Sequence, residues 1–428
     1  MRSSYAIALR PAAAAIAIVL SVGAGASAQT IEAITFDEAI GRAVTNNPSM
    51  RRAEAGILRA ESLLQQTRAQ SLPSLNANLI TNVIGPVPEF GGQTIIPRSQ
   101  LNSSLALGVP LLQPVSWAQR KQALDQITVS ERSAEDVHRE VAVNTADAYL
   151  AIIAAKRVLQ LSEAARDNAR AHYDYAQQRF QGGLGSRLNA LRAQQELSSD
   201  ETRVEEARLA VMRAQEALGV LVAADGPIDA AAEPTFDVPA ETTSDKDLVY
   251  GRTDLRVVLA QQSAAERVVR DSWRDYLPSV NALFAPQVLS PSGLFSPSRS
   301  WSVAFVAAVP IWEAGERRGR ARERQAALDV VRAERANAER QATSEVRTAR
   351  EAIQITERAL AAARAAAEQA EEVVRITDVA FRAGATTNIE VIDAQRRARD
   401  AETAAAIAEH AVRRARLELL VATGRFPR

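Results

Sequence analysis

The second half of this chain repeats the pattern of the first. Leu72-Pro73-Ser74-Leu75-Asn76-Ala77 returns as Leu277-Pro278-Ser279-Val280-Asn281-Ala282, and Val109-Pro110-Leu111 returns as Val309-Pro310-Ile311. Phe180, Gly183, Ser186, Ala193 and Gln194 return 201 positions later as Phe381, Gly384, Thr387, Ala394 and Gln395. Solenoid repeats run to roughly 20–50 residues, so a period this long marks a duplicated half. Both halves are therefore expected to share one fold. The join falls between Ala223 and Asp247, where Asp225-Gly226-Pro227, Glu233-Pro234 and Val238-Pro239 break any helix. The expected organisation is a first repeat over 29–222, a linker over 223–247 and a second repeat over 248–428.

Each half reads in the same order. A helical segment comes first (near Asp37–Ser71, then near Asp254–Tyr276), followed by two short alternating runs. A very long helix, a glycine turn and a second long helix complete the half, giving helical hairpins over about 111–222 and 313–422. The long helices carry apolar residues at alternating spacings of three and four: Val346, Ala349, Ile353, Thr356, Leu360, Ala363, Ala367, Ala370, Val374, Thr377 and Phe381. That spacing is a coiled-coil seam. The matching positions of the first half run from Thr145 to Phe180, broken badly only by Arg166. After the turn, seams run Val391 to Ala422 and Ala190 to Leu221, the latter carrying Asp200. All four seams are rich in alanine. Small knobs bring helices close together but bury little area each, so such packing needs length. Gly182-Gly183 and Gly384 supply the left-handed positions that reverse the chain.

The alternating runs, about 73–84, 100–110, 278–289 and 300–310, have the period and length of strands that cross a bilayer at a tilt. Leu75, Ala77, Leu79, Thr81 and Val83 share one face against Ser74, Asn76, Asn78 and Asn82. Trp301, Val303, Phe305 and Ala307 oppose Ser300 and Ser302, with Val306 the exception on the inner face. Alternation alone slightly favours a soluble sheet with one wet face. The pairing of the runs, the long helices and the N-terminus favour the membrane. Four strands cannot close a membrane barrel, since the smallest have about eight. Open edges are not tolerated in lipid, so two or three copies of the chain would have to combine.

At the N-terminus, Arg2 and Arg10 precede an apolar stretch that ends in Ala26-Ser27-Ala28. This is the order of a secretory signal over 1–28, with cleavage expected after Ala28. The stretch is short for an uncleaved anchor, which needs ~20 residues.

What the chain lacks narrows its chemistry. There is no cysteine, which excludes disulfides, thiolate zinc sites and acylation of a cysteine. Lys+Arg and Asp+Glu are both 51, and a neutral chain is a poor candidate for gripping nucleic acid. His138, His172 and His410 lie far apart without metal-ligand spacing and read as surface or seam-flanking residues. No phosphate loop, dinucleotide fingerprint or nucleophile elbow is present, so neither a cofactor nor an enzyme is expected.

This duplicated layout resembles the TolC-like outer membrane efflux proteins over essentially the whole mature chain. The resemblance is carried by Leu72-Pro73-Ser74 and Leu277-Pro278-Ser279, and by the strand-to-helix junction Val309-Pro310-Ile311-Trp312-Glu313-Ala314-Gly315-Glu316-Arg317-Arg318. The turn Phe381-Arg382-Ala383-Gly384-Ala385-Thr386-Thr387-Asn388-Ile389-Glu390-Val391-Ile392-Asp393-Ala394 carries it too. Each motif is degenerate alone, but two copies in order are specific. The resemblance implies a mainly helical fold with a membrane β-barrel part, built as a trimeric α/β-barrel with four strands per subunit. It implies an outer membrane location, with the helices forming a periplasmic tunnel and a mixed region around its waist. The partners it implies are two further copies of the chain, outer membrane lipid, a periplasmic adaptor protein and an inner membrane pump. Glu390 and Asp393 match the acidic residues that ring the family's periplasmic entrance; their first-half counterparts are Asn189 and Arg192. Adaptor contact would fall on the hairpin tips Gly183-Leu184 and Gly384-Ala385. The family's tyrosine, arginine and acid latch is replaced here by Phe381, Thr386 and Asn189, so closure must be rebuilt or absent. The competing reading is a periplasmic coiled-coil adaptor or scaffold without channel activity, which would show one hairpin rather than two.

Overall fold

The computed structural model describes residues 31–238 and 249–427. The signal segment 1–28 and much of the linker, from 239 on, lie outside the described residues.

In the first half, strand β1 (Glu32–Ile34) leads into helices α1 (Phe36–Asn46) and α2 (Pro48–Ala69). The single helical segment expected over Asp37–Ser71 is thus two. Asn47 divides it: its side chain caps α2 by accepting from the Ser49 amide at 2.9 Å and donates to the Leu221 carbonyl. Pro48 takes the first helical position, where its missing N–H costs nothing. Strands β2 (Ser74–Val83) and β5 (Ser99–Leu112) follow, joined through a small hairpin β3–β4 (Glu89–Phe90 and Gln93–Thr94) that reverses at Gly91 and Gly92. Helix α3 (Pro114–Gln181) turns into α4 (Arg187–Val222), and strand β6 (Ile228–Ala230) pairs in parallel with β1. The second half contains α5 (Thr253–Arg270), a 3₁₀ turn (Asp271–Tyr276), strands β7 (Ser279–Ser290) and β8 (Arg299–Ala308), and helices α6 (Glu316–Arg382) and α7 (Asn388–Ala422).

The four long strands form one antiparallel sheet in the order β2-β5-β7-β8. The register separates its faces. Leu75, Leu107, Phe284 and Val303 stand opposite one another across all four strands. On the other face the row is Asn78, Ser104, Gln287 and Ser300, and Gln287 donates to the Ser300 hydroxyl at 2.9 Å. The period-two pattern of each strand therefore adds up to one apolar and one polar face. The apolar face is bare, with Leu79 71%, Trp301 71% and Phe305 73% exposed. Among the described residues, strands β2 and β8 end the sheet with unpaired edges. No helix of the described residues is long and apolar enough to cross a membrane.

Helices α3 and α6, of 68 and 67 residues, are each roughly 100 Å long at 1.5 Å per residue. Near the sheet they pack with α2 and α5; farther away, α4 and α7 run back along them. The seams are where the periodicity puts them. Every residue of the α6 set from Val346 to Phe381 is buried or half-buried, and so is every one from Val391 to Ala422 on α7. Arg166, the break in the α3 seam, is half-buried and pairs with the exposed Asp167 at 2.6 Å.

The core lies at the waist. Ile34, Tyr149, Ile152, Leu218 and Ile228 bind the β1–β6 pair to the first hairpin. Leu150, Leu417, Leu420 and Phe426 bind the two halves together. The Tyr149 hydroxyl, fully buried, donates to the Ala232 carbonyl at 2.8 Å.

Candidate functional site

At the end away from the sheet, both hairpins reverse by the same device. Gly183 (φ 74°) and Gly384 (φ 78°) take the left-handed conformation. The Leu184 and Ala385 amides donate back to the Arg179 and Ala380 carbonyls, both at 2.8 Å, while the Gly183 and Gly384 amides reach Phe180 and Phe381. This is a Schellman cap made twice, and its left-handed residue is cheap only for glycine. Ser186 and Thr387 then start the next helices; the Ser186 hydroxyl accepts from the Asn189 amide at 3.2 Å. The tips differ in chemistry. Leu184 is 76% exposed and Leu188 and Leu191 are exposed beside it, while Ile392, the counterpart of Leu191, is buried.

Glu390 and Asp393 both lie on the exposed side of the first turns of α7. Each already has a partner. The Glu390 carboxylate closes a capping box, accepting from the Thr387 amide at 3.4 Å, and Asp393 pairs with Arg397 at 2.9 Å. Both partners are solvent-exposed, so neither contact removes the carboxylates from water.

The residues in the latch positions have taken other work. Phe381 is buried against His172 (ring centroids 5.5 Å) and Tyr175 (5.9 Å), with the Arg179 guanidinium over it. Asn189 offers its backbone carbonyl to the Asn388 side chain at 3.4 Å. Of the two readings of His172, surface or seam-flanking, the first fails and the second stands: beside the seam residue Tyr173 it is 7% exposed, and its Nε2 lies 2.8 Å from Asn388 Oδ1. Nothing in the local pattern marks this histidine, because its partner is 216 positions away. The only trace is that its second-half counterpart is Val373, a residue of different polarity.

About three helical turns above the tips, α4 and α7 share a buried ionic cluster. Arg399 donates to Glu196 at 3.1 Å and to Asp200 at 2.6 Å, and Arg396 Nε donates to Glu196 at 2.7 Å. Burial pushes the Glu196 carboxyl up, but the bonds from Arg396 and Arg399 outweigh it and hold it below the usual value. Asp200, with Arg399 as its main counter-charge, is pushed up by burial. A cavity of about 470 Å³ opens beside the cluster, lined by Asp200, Glu368, Glu371, Arg399 and Glu402. Burial, with Glu371 adding, raises the Glu402 carboxyl. Among the described residues no group of acids and histidines is arranged to hold a metal ion.

This arrangement of sheet and paired hairpins has counterparts. The family model for outer membrane efflux proteins matches residues 39–224 and 247–425. The chain is 25% identical over 373 residues to the outer membrane protein OprJ of Pseudomonas aeruginosa, covering 83% of this chain and 76% of that one. It is 24% identical over 305 residues to the fusaric acid resistance protein FusA of Burkholderia cepacia, covering 66% of this chain and spanning only 56% of the relative. Among solved structures, the Campylobacter jejuni CmeC outer membrane channel superposes with a TM-score of 0.79 at 16% identity, covering 91% of this chain and 85% of that one. The open state of the Neisseria gonorrhoeae MtrE outer membrane channel gives 0.77 at 20%, covering 91% and 88%. The two hairpins and the family match set aside the adaptor reading. The chain belongs to the outer membrane efflux protein family, and it is an outer membrane channel protein whose helical part lies in the periplasm.

Proposed function

We propose that this chain is the passive duct of a three-part export system, working as a homotrimer. One observation carries the reading: a four-stranded sheet with a bare apolar face and two open edges is continuous with helices roughly 100 Å long. Lipid covers such a face, and the edges need other copies to pair with. Three copies give a twelve-stranded barrel with the Asn78–Ser104–Gln287–Ser300 rows lining a wet lumen. The helices continue that lumen across the periplasm. The tips at Gly183-Leu184 and Gly384-Ala385 are the docking ends for a periplasmic adaptor, which joins the duct to an inner membrane pump. Exposed Leu184, Leu188 and Leu191 give the first tip an apolar surface suited to a helical partner.

The test is single-channel recording of the purified protein in a planar bilayer. Small, cation-selective steps are expected. Failure of folded protein to insert would overturn the duct and leave a periplasmic scaffold.

Glu390 and Asp393 set the selectivity in this reading. In a trimer they place six carboxylates around the mouth, favouring cations. Replacing both by alanine should weaken cation selectivity and block by multivalent cations. Because Glu390 also caps α7, Glu390→Gln with Asp393→Asn is the cleaner pair: it removes charge and keeps hydrogen-bonding groups. Unchanged selectivity in that variant would remove both residues from the entrance.

A further inference from the structure

We propose that His172 and Asn388 form a proton-released clasp that holds the two hairpin tips together and so keeps the periplasmic entrance narrow. The proposal rests on the duct reading and names what regulates its narrow end.

The clasp is a buried polar bridge between the halves. Asn388 is the first residue of α7 and only 3% exposed. Its Oδ1 accepts from His172 Nε2 on α3 at 2.8 Å, and its Nδ2 donates to the Asn189 carbonyl on α4 at 3.4 Å. One amide thus ties the second hairpin to both helices of the first. Parting the tips breaks both bonds and exposes the Phe381 ring that packs against His172 and Tyr175.

The bridge needs only a neutral imidazole with its proton on Nε2. A second proton would place a charge in a buried site walled on one side by the Phe381 ring. The charged or titratable groups around it do little to receive that charge. On α6, Asp378 is engaged by Arg382 at 2.8 Å. On its own helix, Tyr175 is uncharged and Arg179 carries the same sign. From α7 the facing group is the Asn388 amide, and from α4 the Asn189 carbonyl. Burial holds the imidazole below its ordinary value, against smaller opposing effects of the Asn388 bond and Asp378.

The direction follows from linkage. With the tips parted, His172 faces water and titrates near its ordinary value of about 6.5. The clasped state binds fewer protons, so the clasp is intact above about pH 6.5 and weakens as pH falls below it. The parted-to-clasped ratio rises by up to about tenfold per pH unit until the clasped state itself protonates. Duplication does not supply a second clasp: the counterparts of His172 and Asn388 are Val373, which is exposed, and Arg187.

The chain has no native cysteine, so the tips can be labelled cleanly. Nitroxides on Leu184→Cys and Ala385→Cys of the full-length, detergent-purified protein report the tip separation by pulsed EPR at about pH 7.5 and about pH 5. The separation should gain a longer component at the lower pH, with channel conductance rising alongside it. His172→Gln keeps a donor and cannot titrate, and its separation should no longer respond to pH. Asn388→Asp sets a carboxylate against the imidazole and should hold the tips together to lower pH than the parent. A parent that shows no pH response, or a His172→Gln variant that responds as the parent does, overturns the clasp. Absence of conductance at both pH values counts against the duct reading, and the label distances still judge the clasp.

Discussion

Arg399→Met should destabilise the protein by about 3–5 kcal/mol, the cost of leaving buried carboxylates without their counter-charge. Arg399 is 8% exposed, and Glu196 and Asp200 are each 3% exposed. Glu196 keeps Arg396 as a partner, whereas Asp200 loses its 2.6 Å bond and has only the more distant charges of Arg203 and Arg396 to offset it. The damage should therefore concentrate on Asp200. Adding Asp200→Leu to Arg399→Met should recover most of the loss, because an apolar pair of similar volume suits a seam position better than an orphaned charge. Thermal loss of helical circular dichroism in detergent measures both variants. Equal stability of Arg399→Met and the parent would mean that water reaches the cluster and solvates the acids. The cluster ties α4 to α7 and is not duplicated: the counterpart of Arg399 is Ser198.

Leu79→Arg should cost about 2–4 kcal/mol per subunit, while Asn78→Arg costs little, if the apolar face meets hydrocarbon. The two positions are neighbours at the middle of β2, and their side chains leave the sheet on opposite faces. Backbone, strand propensity and edge position are nearly the same for both, so the difference isolates the solvent on each face. Urea unfolding of protein folded into lipid vesicles reads it directly. Similar costs at both positions would mean that both faces meet water, which is the soluble-sheet alternative that alternation by itself leaves open.

Much of the architecture was legible because its signals are local. A seam position recurs every three or four residues, and a strand face every two. The seams over 346–381 and 391–422 could therefore be read residue by residue, and the strand limits lie within about two residues of the pattern. Where the expectation failed, a local signal had been passed over. Asn47-Pro48 is a helix break and cap, and it split one expected helix into α1 and α2. Gly91-Gly92 is a two-residue hairpin turn, and it made β3–β4 between the runs expected over 73–84 and 100–110. Asp200 is the one charged residue of its seam, and Arg399 pairs with it.

The candidate site was legible only in part. The glycine reversals and the acids after the second turn follow from spacing and resemblance. That Glu390 closes a capping box is also implicit in Thr387 and Glu390 standing three apart. The burial of His172 and the displacement of the latch by a Phe381 cluster were not legible, since the contacts that create them join residues about 200 positions apart.

By itself, then, the sequence determined the long helices and the four sheet strands of this protein, their order and their duplication, because each depends on periodic interactions within a few residues; the β1–β6 pair joins segments nearly 200 positions apart and was not legible. It also determined that the sheet has one apolar and one polar face, and that four strands are too few to enclose a pore. Only the tertiary structure decided how the two copies differ. Helices with the same periodicity can pack at many offsets along their axes. The offset adopted here brings His172 to Asn388, Arg399 to Glu196 and Asp200, and Tyr149 to the chain beyond β6. Each of these bonds satisfies a buried polar group that would otherwise be costly to hold away from water. A pattern repeated every 201 residues specifies two equal hairpins, and the unequal polar groups between them make one distinct from the other.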